Sequence, residues 1–276
     1  MDERQKKRAR KRRQKRRRKE ERRQKKGGII STIVLVVAIA VFCVSGFQLY
    51  KIMSGYHKGK AEYDKILEIA VEEKEPEEEG QEDSFRVNFD ELLAINPDTV
   101  GWIRFSPEPS QINYPVVQGD DNDLYLHKTF SANDNTVGAI FVNVYNNPDF
   151  NDRNTIIYGH RMNDNSMFHD LAKYEDKSFW ESNPYFYIYT PDGREITYHI
   201  YSTGVVKDVS DTYLTEFASD EEYQAFLNMT KEVAAYDTGV EVGTDDVIVT
   251  LSTCTKASND DRFVVRGVKE SERKIE

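Results

Sequence analysis

The chain contains only two cysteines among its 276 residues, Cys43 and Cys254. Cys43 falls in an apolar run near the N-terminus and Cys254 falls in a polar region near the C-terminus, so we expect no disulfide between them. A fold held together by disulfides is therefore not predicted. A single cysteine in a domain is either a small buried apolar residue or a reactive thiol, and the residues around Cys254 must decide.

The common motifs for phosphate and metal binding are also missing. No glycine-rich phosphate loop is present. The Asp- and Asn-rich stretches 120–123 and 146–154 do not have the spacing of an EF-hand loop. His127, His169 and His199 form no ligand cluster with a cysteine, as a zinc site would require. We therefore expect neither a cofactor nor a bound metal.

Charge is divided unevenly along the chain. Residues 1–28 carry 17 Lys and Arg against four Asp and Glu, whereas the rest of the chain carries 21 basic and 44 acidic residues. An acidic globular region repels phosphates, so nucleic acid is not an expected partner. The basic run ends at Gly27 and Gly28, where a long apolar run begins.

That apolar run, residues 29–50, contains no charged residue. At about 1.5 Å per residue it can cross a hydrocarbon core of roughly 30 Å. Its basic N-terminal flank favours the cytoplasmic side. A cleaved signal peptide is the alternative, but the run exceeds the usual apolar region of about 7–15 residues and no clear cleavage site follows. We predict a cytoplasmic tail (1–28), a single transmembrane anchor (29–50) and an extracytoplasmic remainder.

A stalk and linker are predicted to join the anchor to a folded domain. Residues 56–73 place apolar side chains at helical spacing. Residues 72–83 are acidic and contain Pro76 and Gly80, a composition typical of a linker. Together, residues 51–83 form the predicted stalk and acidic linker, and residues 84–276 form the predicted catalytic domain.

Within that domain, short segments rich in Val, Ile, Thr, Tyr and Phe are typical of strands. The eight predicted strands are 100–105, 112–119, 137–144, 154–160, 185–190, 194–206, 247–254 and 262–268. Helices are predicted at 88–96, 166–174 and 220–236, the last with Ser219 and Glu222 at capping-box spacing. We therefore predict a mainly β fold: a closed β-barrel of about eight strands with an N-terminal helix and an extra helix before the strand of Cys254.

Cys254 ends an apolar strand, and Arg262 opens the next one after an eight-residue step. If these strands are neighbours, the two side chains lie side by side at one end of the sheet. A guanidinium near a thiol favours the thiolate and can stabilise a developing oxyanion. Arg266, four residues further on, shares the same face of the strand and is the alternative arginine.

His160 also ends an apolar strand and is followed by a polar loop. Taken alone, it could be an ordinary packed histidine, and Arg262 could be a surface partner of Asp260 and Asp261. A Cys–His pair at strand ends is, however, the usual arrangement for thiol nucleophilic catalysis. Cys254, His160 and Arg262 are therefore the candidate catalytic residues.

These motifs resemble a known signature. TLSTC ending at Cys254, with Arg262 downstream and YGH ending at His160 upstream, resembles the sortase family. NTIIYGHRMNDNSMF, NPDTVGWIRF and INYPVVQGDDNDLYL resemble class B sortases in particular, and so does the position of the helix at 220–236. The resemblance covers about residues 88–268, with its motifs in the expected order, and implies a sortase-type barrel.

The resemblance implies a membrane-bound cysteine transpeptidase outside a Gram-positive cell. Cys254 would attack a C-terminal sorting signal, NPxTx-like in class B, after its threonine and form a thioacyl-enzyme. A peptidoglycan cross-bridge amine, carried on a lipid II-type precursor, would then accept the surface protein. His160 would transfer protons and Arg262 would stabilise the oxyanion. Ser252, Thr253 and Tyr158 would shape the substrate pocket.

Two other classes of protein are alternatives: another cell-wall cysteine enzyme and a surface adhesin. An L,D-transpeptidase would carry glycine just before its cysteine, where this chain has Thr253, and a papain-like wall endopeptidase would place cysteine before histidine. A surface adhesin would carry a sorting signal of its own, but the C-terminus VKESERKIE has no apolar tail. Both alternatives predict a different pattern from the one present.

Overall fold

The structure, a computed structural model, describes residues 3–74, 84–258 and 260–275. The chain divides into two compact units, residues 1–54 and residues 55–276. Helix α1 (Glu3–Ala70) supplies the first unit and the first residues of the second. The part of α1 from Ile33 onward is long and apolar enough to cross a membrane by length and composition, and its apolar side chains from Ile33 to Met53 are exposed.

The second unit includes the last turns of α1 as part of its core. Tyr63, Ile66 and Ala70 are buried, and the Tyr63 hydroxyl donates to the carbonyl oxygen of Gly138 at 2.7 Å. We expected the folded domain to begin near Ser84 and the helical segment to extend to about residue 73. Instead α1 ends at Ala70, and its last four turns contribute to the domain core.

The predicted acidic linker is described only at its beginning. Val71–Lys74 form strand β1, which pairs antiparallel with strand β2 (Ser84–Val87) in a small separate sheet. These four residues are therefore part of the fold rather than the start of a linker. The central part of the predicted linker, residues 75–83, lies outside the described residues.

The remaining elements of the second unit follow in chain order. The strands are β3 (Thr99–Arg104), β4 (Asn113–Val117), β5 (Ile140–Val142), β6 (Asn154–Tyr158), β7 (Tyr185–Tyr189), β8 (Arg194–Lys207), β9 (Ile248–Cys254) and β10 (Asp261–Lys274). The α-helices are α2 (Phe89–Ile95), α3 (Leu124–His127), α4 (Lys177–Ser182) and α5 (Asp220–Glu232). Two 3₁₀ helices occupy His169–Glu175 and Asp211–Tyr213.

The eight strands β3–β10 form a closed barrel, which confirms the predicted fold class. Around the barrel the strand order is β10-β8-β7-β3-β4-β5-β6-β9. The pairs β4–β5 and β6–β9 are parallel, and the other described pairs are antiparallel. Each barrel strand overlaps a predicted segment, because these segments are rich in β-branched and aromatic residues. Two bounds differ clearly: β5 is shorter than the predicted 137–144, and β10 continues to Lys274 instead of ending at 268.

The two faces of β9 and β10 pack against different groups of residues. Leu251 and Phe263, for example, belong to the large core that fills the barrel. The opposite, outer face carries Ile248 and Val268, which join a second apolar cluster with Tyr223 of α5. Helix α5 thus covers part of the outer face of the sheet beside the strands that end at Cys254 and begin at Asp261.

The N-terminus of α5 is capped by the two residues at capping-box spacing. The backbone N–H of Glu222 donates to Ser219 Oγ at 3.2 Å, as predicted, but the Glu222 carboxylate accepts from the backbone N–H of Ala218 at 2.6 Å rather than from that of the cap residue Ser219. The helix was expected to reach residue 236, but it ends at Glu232. Ala235 N–H donates instead to the Thr203 carbonyl of β8, and Val233 is exposed.

The helix predicted at 166–174 is wrong in type and extent. Asn165 and Met167 have positive φ, a left-handed backbone that cannot continue an α-helix. A 3₁₀ helix follows from His169 to Glu175. Asp176 then caps a separate helix, α4, by accepting from the backbone N–H of Ser178. No stretch of apolar periodicity indicated this second helix.

A substitution at Gly267 tests how closely the barrel interior is packed. A Cβ at this position would lie 2.5 Å from Phe186 Cε1 and 2.8 Å from Tyr198 Cβ. Gly267→Ala should therefore lower the free energy of unfolding by about 1–3 kcal/mol through overpacking. Gly243→Ala is the matched control, since its Cβ would approach nothing nearer than 3.9 Å. Urea denaturation of both variants measures the difference; equal stability of the two would contradict the packing described.

Candidate functional site

The site is built from three strand ends that lie in one row. Cys254, the last residue of β9, lies directly opposite Arg262 on β10. On its other side β9 runs parallel to β6, with Ser252 opposite Tyr158. The Gly159 N–H extends this ladder by donating to the Ser252 carbonyl at 3.1 Å. The backbone of His160 therefore follows at the level of Cys254, and the end of β6 meets the consecutive strands β9 and β10 at one edge of the barrel.

Cys254 is exposed at this edge. Residues directly opposite each other in a sheet project to the same face, so its side chain shares the outer face with that of Arg262. Thr250 and Ser252 share this face by the two-residue alternation along β9. The thiol is thus accessible and stands beside a cationic residue.

His160 is half-buried beside the chain segment that leads to β5. Its Nε2 lies 2.8 Å from the Leu126 carbonyl oxygen, and because a carbonyl only accepts, this contact requires a proton on Nε2. The neutral ring then carries its lone pair on Nδ1. Gly138, at φ +65°, gives the ring room, since a Cβ there would lie 2.8 Å from His160 Cδ2.

Arg262 is three-quarters buried and faces a carboxylate that the sequence did not indicate. Its Nη2 lies 3.4 Å from Asp208 Oδ2, and its Nη1 donates to the Asp261 carbonyl at 3.1 Å. The Asp261 carboxylate is paired instead with Lys207. Arg262 thus does form an ion pair, as the alternative interpretation expected, but its partner is Asp208 rather than Asp260 or Asp261.

Two tyrosines pack against each other beside these strand ends. The rings of Tyr158 and Tyr213 stack at 6.1 Å between centroids. The Tyr213 and Ser252 hydroxyls share a hydrogen bond of 2.9 Å, and Tyr158 Oη accepts from Asn143 Nδ2 at 3.0 Å. Sequence reasoning missed Tyr213, because it lies in a loop without a motif; only the β8–α5 connection brings it over β9.

The pKa of Tyr158 also reports on its surroundings. Burial raises the pKa of Tyr158 to about 12, and the nearby Tyr213 phenol adds to the rise, whereas the hydrogen bond from Asn143 and the positive charge of Arg262 lower it. Arg262 likewise lowers the pKa of Tyr213, whose main shift is upward through burial. The guanidinium therefore lies near both phenols.

The predicted pocket residues do not all reach this groove. Tyr158 lines it, and Ser252 lies beneath the Tyr213 hydroxyl. Thr253 is opposite Phe263 of the barrel core and is 2% exposed, so its side chain points inward, away from the thiol. The Thr253 hydroxyl is buried without a hydrogen-bond partner among the described residues. Thr253 can therefore influence the site only through its backbone.

No group of three or more His, Cys, Asp and Glu side chains suited to a metal occurs among the described residues. The register places the Cys254 thiol beside the Arg262 guanidinium, and the strand that leads to His160 ends next to them. A thiol that has an imidazole as its proton-transfer partner can act as a nucleophile toward a carbonyl, and a guanidinium can stabilise the resulting oxyanion. The arrangement thus suits acyl transfer.

Comparison with known proteins points to one family. Residues 107–270 match the sortase domain model. The chain is 34% identical to sortase B of Staphylococcus aureus over 231 residues, covering 82% of this chain and 90% of that protein. It is 36% identical to sortase B of Listeria monocytogenes over 181 residues, covering 64% of this chain and 72% of that protein.

Solved structures show the same relationship. A crystal structure of sortase B from B. anthracis matches with a TM-score of 0.68 and 34% sequence identity. The match covers 79% of this chain and 99% of the crystallised one. The closed barrel with its helices therefore has an experimentally determined counterpart.

The Tyr158 hydroxyl provides a test of the site through pH. The folded pKa of about 12 lies above that of an unfolded phenol, about 10. Its stabilising contribution is therefore complete below pH 10 and is lost as pH rises through about 12. Tyr158→Phe has no phenol to ionise and does not lose this stability. The difference in free energy of unfolding between the native protein and Tyr158→Phe should therefore shrink between pH 9 and pH 12.

Denaturant unfolding at several pH values measures that gap. The control is Tyr145→Phe, because the Tyr145 side chain is 76% exposed and lies outside the stacked pair. The stability difference between Tyr158→Phe and the native protein should narrow with pH by more than that of Tyr145→Phe. A Tyr158→Phe difference that stays constant with pH would contradict the burial of this phenol.

Proposed function

This chain belongs to the sortase family, as a class B sortase and a cysteine transpeptidase, and we propose that it cleaves an NPxTx-like C-terminal sorting signal after threonine. The surface protein that carries the signal is then joined to an amine of a peptidoglycan precursor. The observation that carries this proposal is the alignment of Cys254 with Arg262 on one side and with the end of the His160 strand on the other.

In the first half-reaction, the Cys254 sulfur attacks the threonine carbonyl carbon of the signal. The resulting tetrahedral intermediate carries its negative charge on the former carbonyl oxygen. As the C–N bond breaks, His160 donates a proton to the leaving amine, and a thioester to Cys254 remains. A neutral histidine must therefore gain a proton, either from the thiol or from solvent, before this step.

In the second half-reaction, the amine of a peptidoglycan cross-bridge attacks the thioester carbonyl. His160 removes the amine proton as the new C–N bond forms. The C–S bond then breaks and the thiolate leaves, which regenerates the enzyme. The exposed position of Cys254 supports this step, because the acyl group must remain accessible to a second substrate of considerable size.

Arg262 is proposed to stabilise the oxyanion of both tetrahedral intermediates. A planar guanidinium can donate two hydrogen bonds to one oxygen or to neighbouring oxygens. Its contact with Asp208 is long, at 3.4 Å, and the carboxylate is partly exposed. Exchange of this weak contact for one with the substrate therefore costs little. Asp208 holds the guanidinium near the groove until the substrate binds.

The groove floor of Tyr158, Tyr213 and Ser252 is proposed to receive the signal. Aromatic faces pack well against a proline ring, and the nearby hydroxyls can bind peptide backbone groups. Thr253 is kept as a contributor through its backbone alone. The exposed apolar side chain of Val209 stands on the same loop as Tyr213 and adds to the apolar surface available there.

We also propose that residues 29–50 anchor the enzyme in the membrane. The N-terminal tail, residues 1–28, would then be cytoplasmic and the catalytic domain, residues 84–276, extracytoplasmic. The absence of charge from the apolar segment and the 17 basic residues before it support this orientation. A membrane position would place the thiol near lipid-linked precursors that carry the acceptor amine.

Cys254→Ala should abolish the thioacyl intermediate, because no other described thiol lies in the groove. Incubation with an NPxTx peptide and mass spectrometry of the intact protein measures the acyl adduct. Cys43→Ser is the matched control, since Cys43 lies in the apolar segment far along the chain, and it should acylate normally. Peptide cleavage by Cys254→Ala at the native rate would exclude Cys254 as nucleophile.

Arg262→Lys keeps the positive charge but loses the planar fork. We expect kcat/KM for the peptide to fall by about 10²–10³-fold, as when an oxyanion donor is removed. Arg273→Lys is the control: Arg273 also makes a two-pronged contact, to Glu195, but at the distant end of β10. Equal kinetic losses in the two variants would rule out a specific role for Arg262.

A further inference from the structure

Arg266 is a second arginine of β10 that the proposed mechanism does not use. It lies on the outer face of the strand, opposite Thr250 of β9 and Ser202 of β8. Unlike Arg262, it is completely buried. It sits between the barrel and the connection from β8 to α5, which runs over the outer face.

The hydrogen-bond partners of this buried guanidinium are hydroxyls rather than carboxylates. Nη1 donates to Ser202 Oγ and Nη2 donates to Thr212 Oγ1, each at 3.0 Å. Nε has no hydrogen-bond partner among the described residues. Burial lowers the pKa of Arg266, and the groups that oppose this are the phenols of Tyr201 and Tyr213 rather than a carboxylate.

Stability alone does not account for such a residue. A guanidinium remains charged in a protein, and removing it from water without a paired anion is costly. An apolar side chain of similar volume at such a position is often at least as stabilising as a buried charge. The two hydrogen bonds therefore point to a role in fixing geometry.

The two bonds lead to different parts of the fold. Ser202 belongs to the barrel itself, where its hydroxyl also donates to the Thr230 carbonyl at 2.7 Å. Thr212 belongs to the 3₁₀ turn Asp211–Tyr213 in the connection above the sheet. Arg266 thus ties this turn to the barrel wall beneath it.

Asn154 makes a second tie to the same turn. Its Nδ2 donates to the carbonyl oxygens of Thr212 at 3.2 Å and Leu214 at 2.7 Å. Its Oδ1 accepts from Thr250 Oγ1 at 2.7 Å. The Asn154 bonds hold the backbone on both sides of Tyr213, and the Arg266 bond holds the side chain that precedes it.

Tyr213 is the residue that these ties locate. Its hydroxyl is bonded to Ser252, two residues before Cys254, and its ring stacks on Tyr158. A shift of the turn would move one wall of the groove while leaving the thiol and its strand unchanged. We propose that Arg266 is a positioning residue that fixes the Asp211–Tyr213 turn, and with it the sorting-signal groove.

The proposal rests on the proposed function for its substrate, but its structural part can be tested separately. The variants are Arg266→Met and Thr212→Val, which break the tie from either end, and the double variant. Ser202→Ala is the matched control, because it removes the other acceptor of the same guanidinium without touching the turn. All are made in the full chain with Cys43→Ser, so that only Cys254 can be alkylated.

We expect KM for an NPxTx peptide to rise about tenfold in Arg266→Met and Thr212→Val, with kcat within about threefold of native. KM of the double variant should be no higher than that of either single variant, since both substitutions break the same Arg266–Thr212 bond. Ser202→Ala should stay within about twofold of native. Alkylation of Cys254 by iodoacetamide should proceed at the native rate in all four.

Amide hydrogen exchange supplies a readout that does not depend on the peptide. Exchange should become faster in residues 208–216 of Arg266→Met and Thr212→Val, and stay native in β8 and β10. If exchange in the turn is unchanged, or rises equally throughout the barrel, the positioning role is refuted. Equal effects of Ser202→Ala and Thr212→Val would refute it as well.

The two proposals fail in different ways. If the native protein cleaves no sorting peptide, the proposed function is wrong, and the exchange data still decide the role of Arg266. If the native protein cleaves the peptide but KM is unchanged in Thr212→Val, the Arg266 proposal fails alone. If Arg266→Met does not fold, Thr212→Val alone tests the Arg266 proposal, because this variant keeps the buried guanidinium and removes only its bond to the turn.

Discussion

The pairing of β9 with two different neighbours is the constraint on which the site depends. On one side β9 runs parallel to β6, and on the other it runs antiparallel to β10. A parallel pair ends at the same edge of a sheet, and an antiparallel pair joined by a short loop starts again at that edge. The ends of β6 and β9 and the start of β10 therefore meet. Cys254 and Arg262 are brought together by a short loop, whereas the strand that leads to His160 comes from a distant part of the chain.

The division of these strands into two faces separates stability from function. The inner side chains fill the barrel core and determine the register, because a slip by one residue would expose them. With the register set, the outer side chains stand at defined positions and can be polar. They meet a layer made of α5 and the β8–α5 connection, and this layer supplies two carbonyls for Asn154 and one hydroxyl for Arg266.

Much of the fold could be predicted, and the errors have specific physical causes. Strand positions follow from two-residue alternation, and the start of α5 follows from its capping box. The α-helix predicted at 166–174 was wrong because the segment has a helical composition, while Asn165 and Met167 adopt a left-handed backbone that an α-helix does not allow. Thr253 was assigned to the pocket by proximity to Cys254, although adjacent residues of a strand face opposite ways. Tyr213 has no sequence signal, since its place depends on how a loop folds back.

The amino-acid sequence by itself determined the family, the barrel class and the neighbouring positions of Cys254 and Arg262, because one short loop allows little else than an antiparallel pair. Only the tertiary structure decided that the strand leading to His160 runs parallel beside β9, since a parallel strand pair leaves no trace in local spacing. It also decided that Asp208 and Tyr213 border the groove and that Arg266 lies buried beneath it. These contacts arise from the packing of a loop onto a sheet, where the interacting groups come from separate segments of the chain.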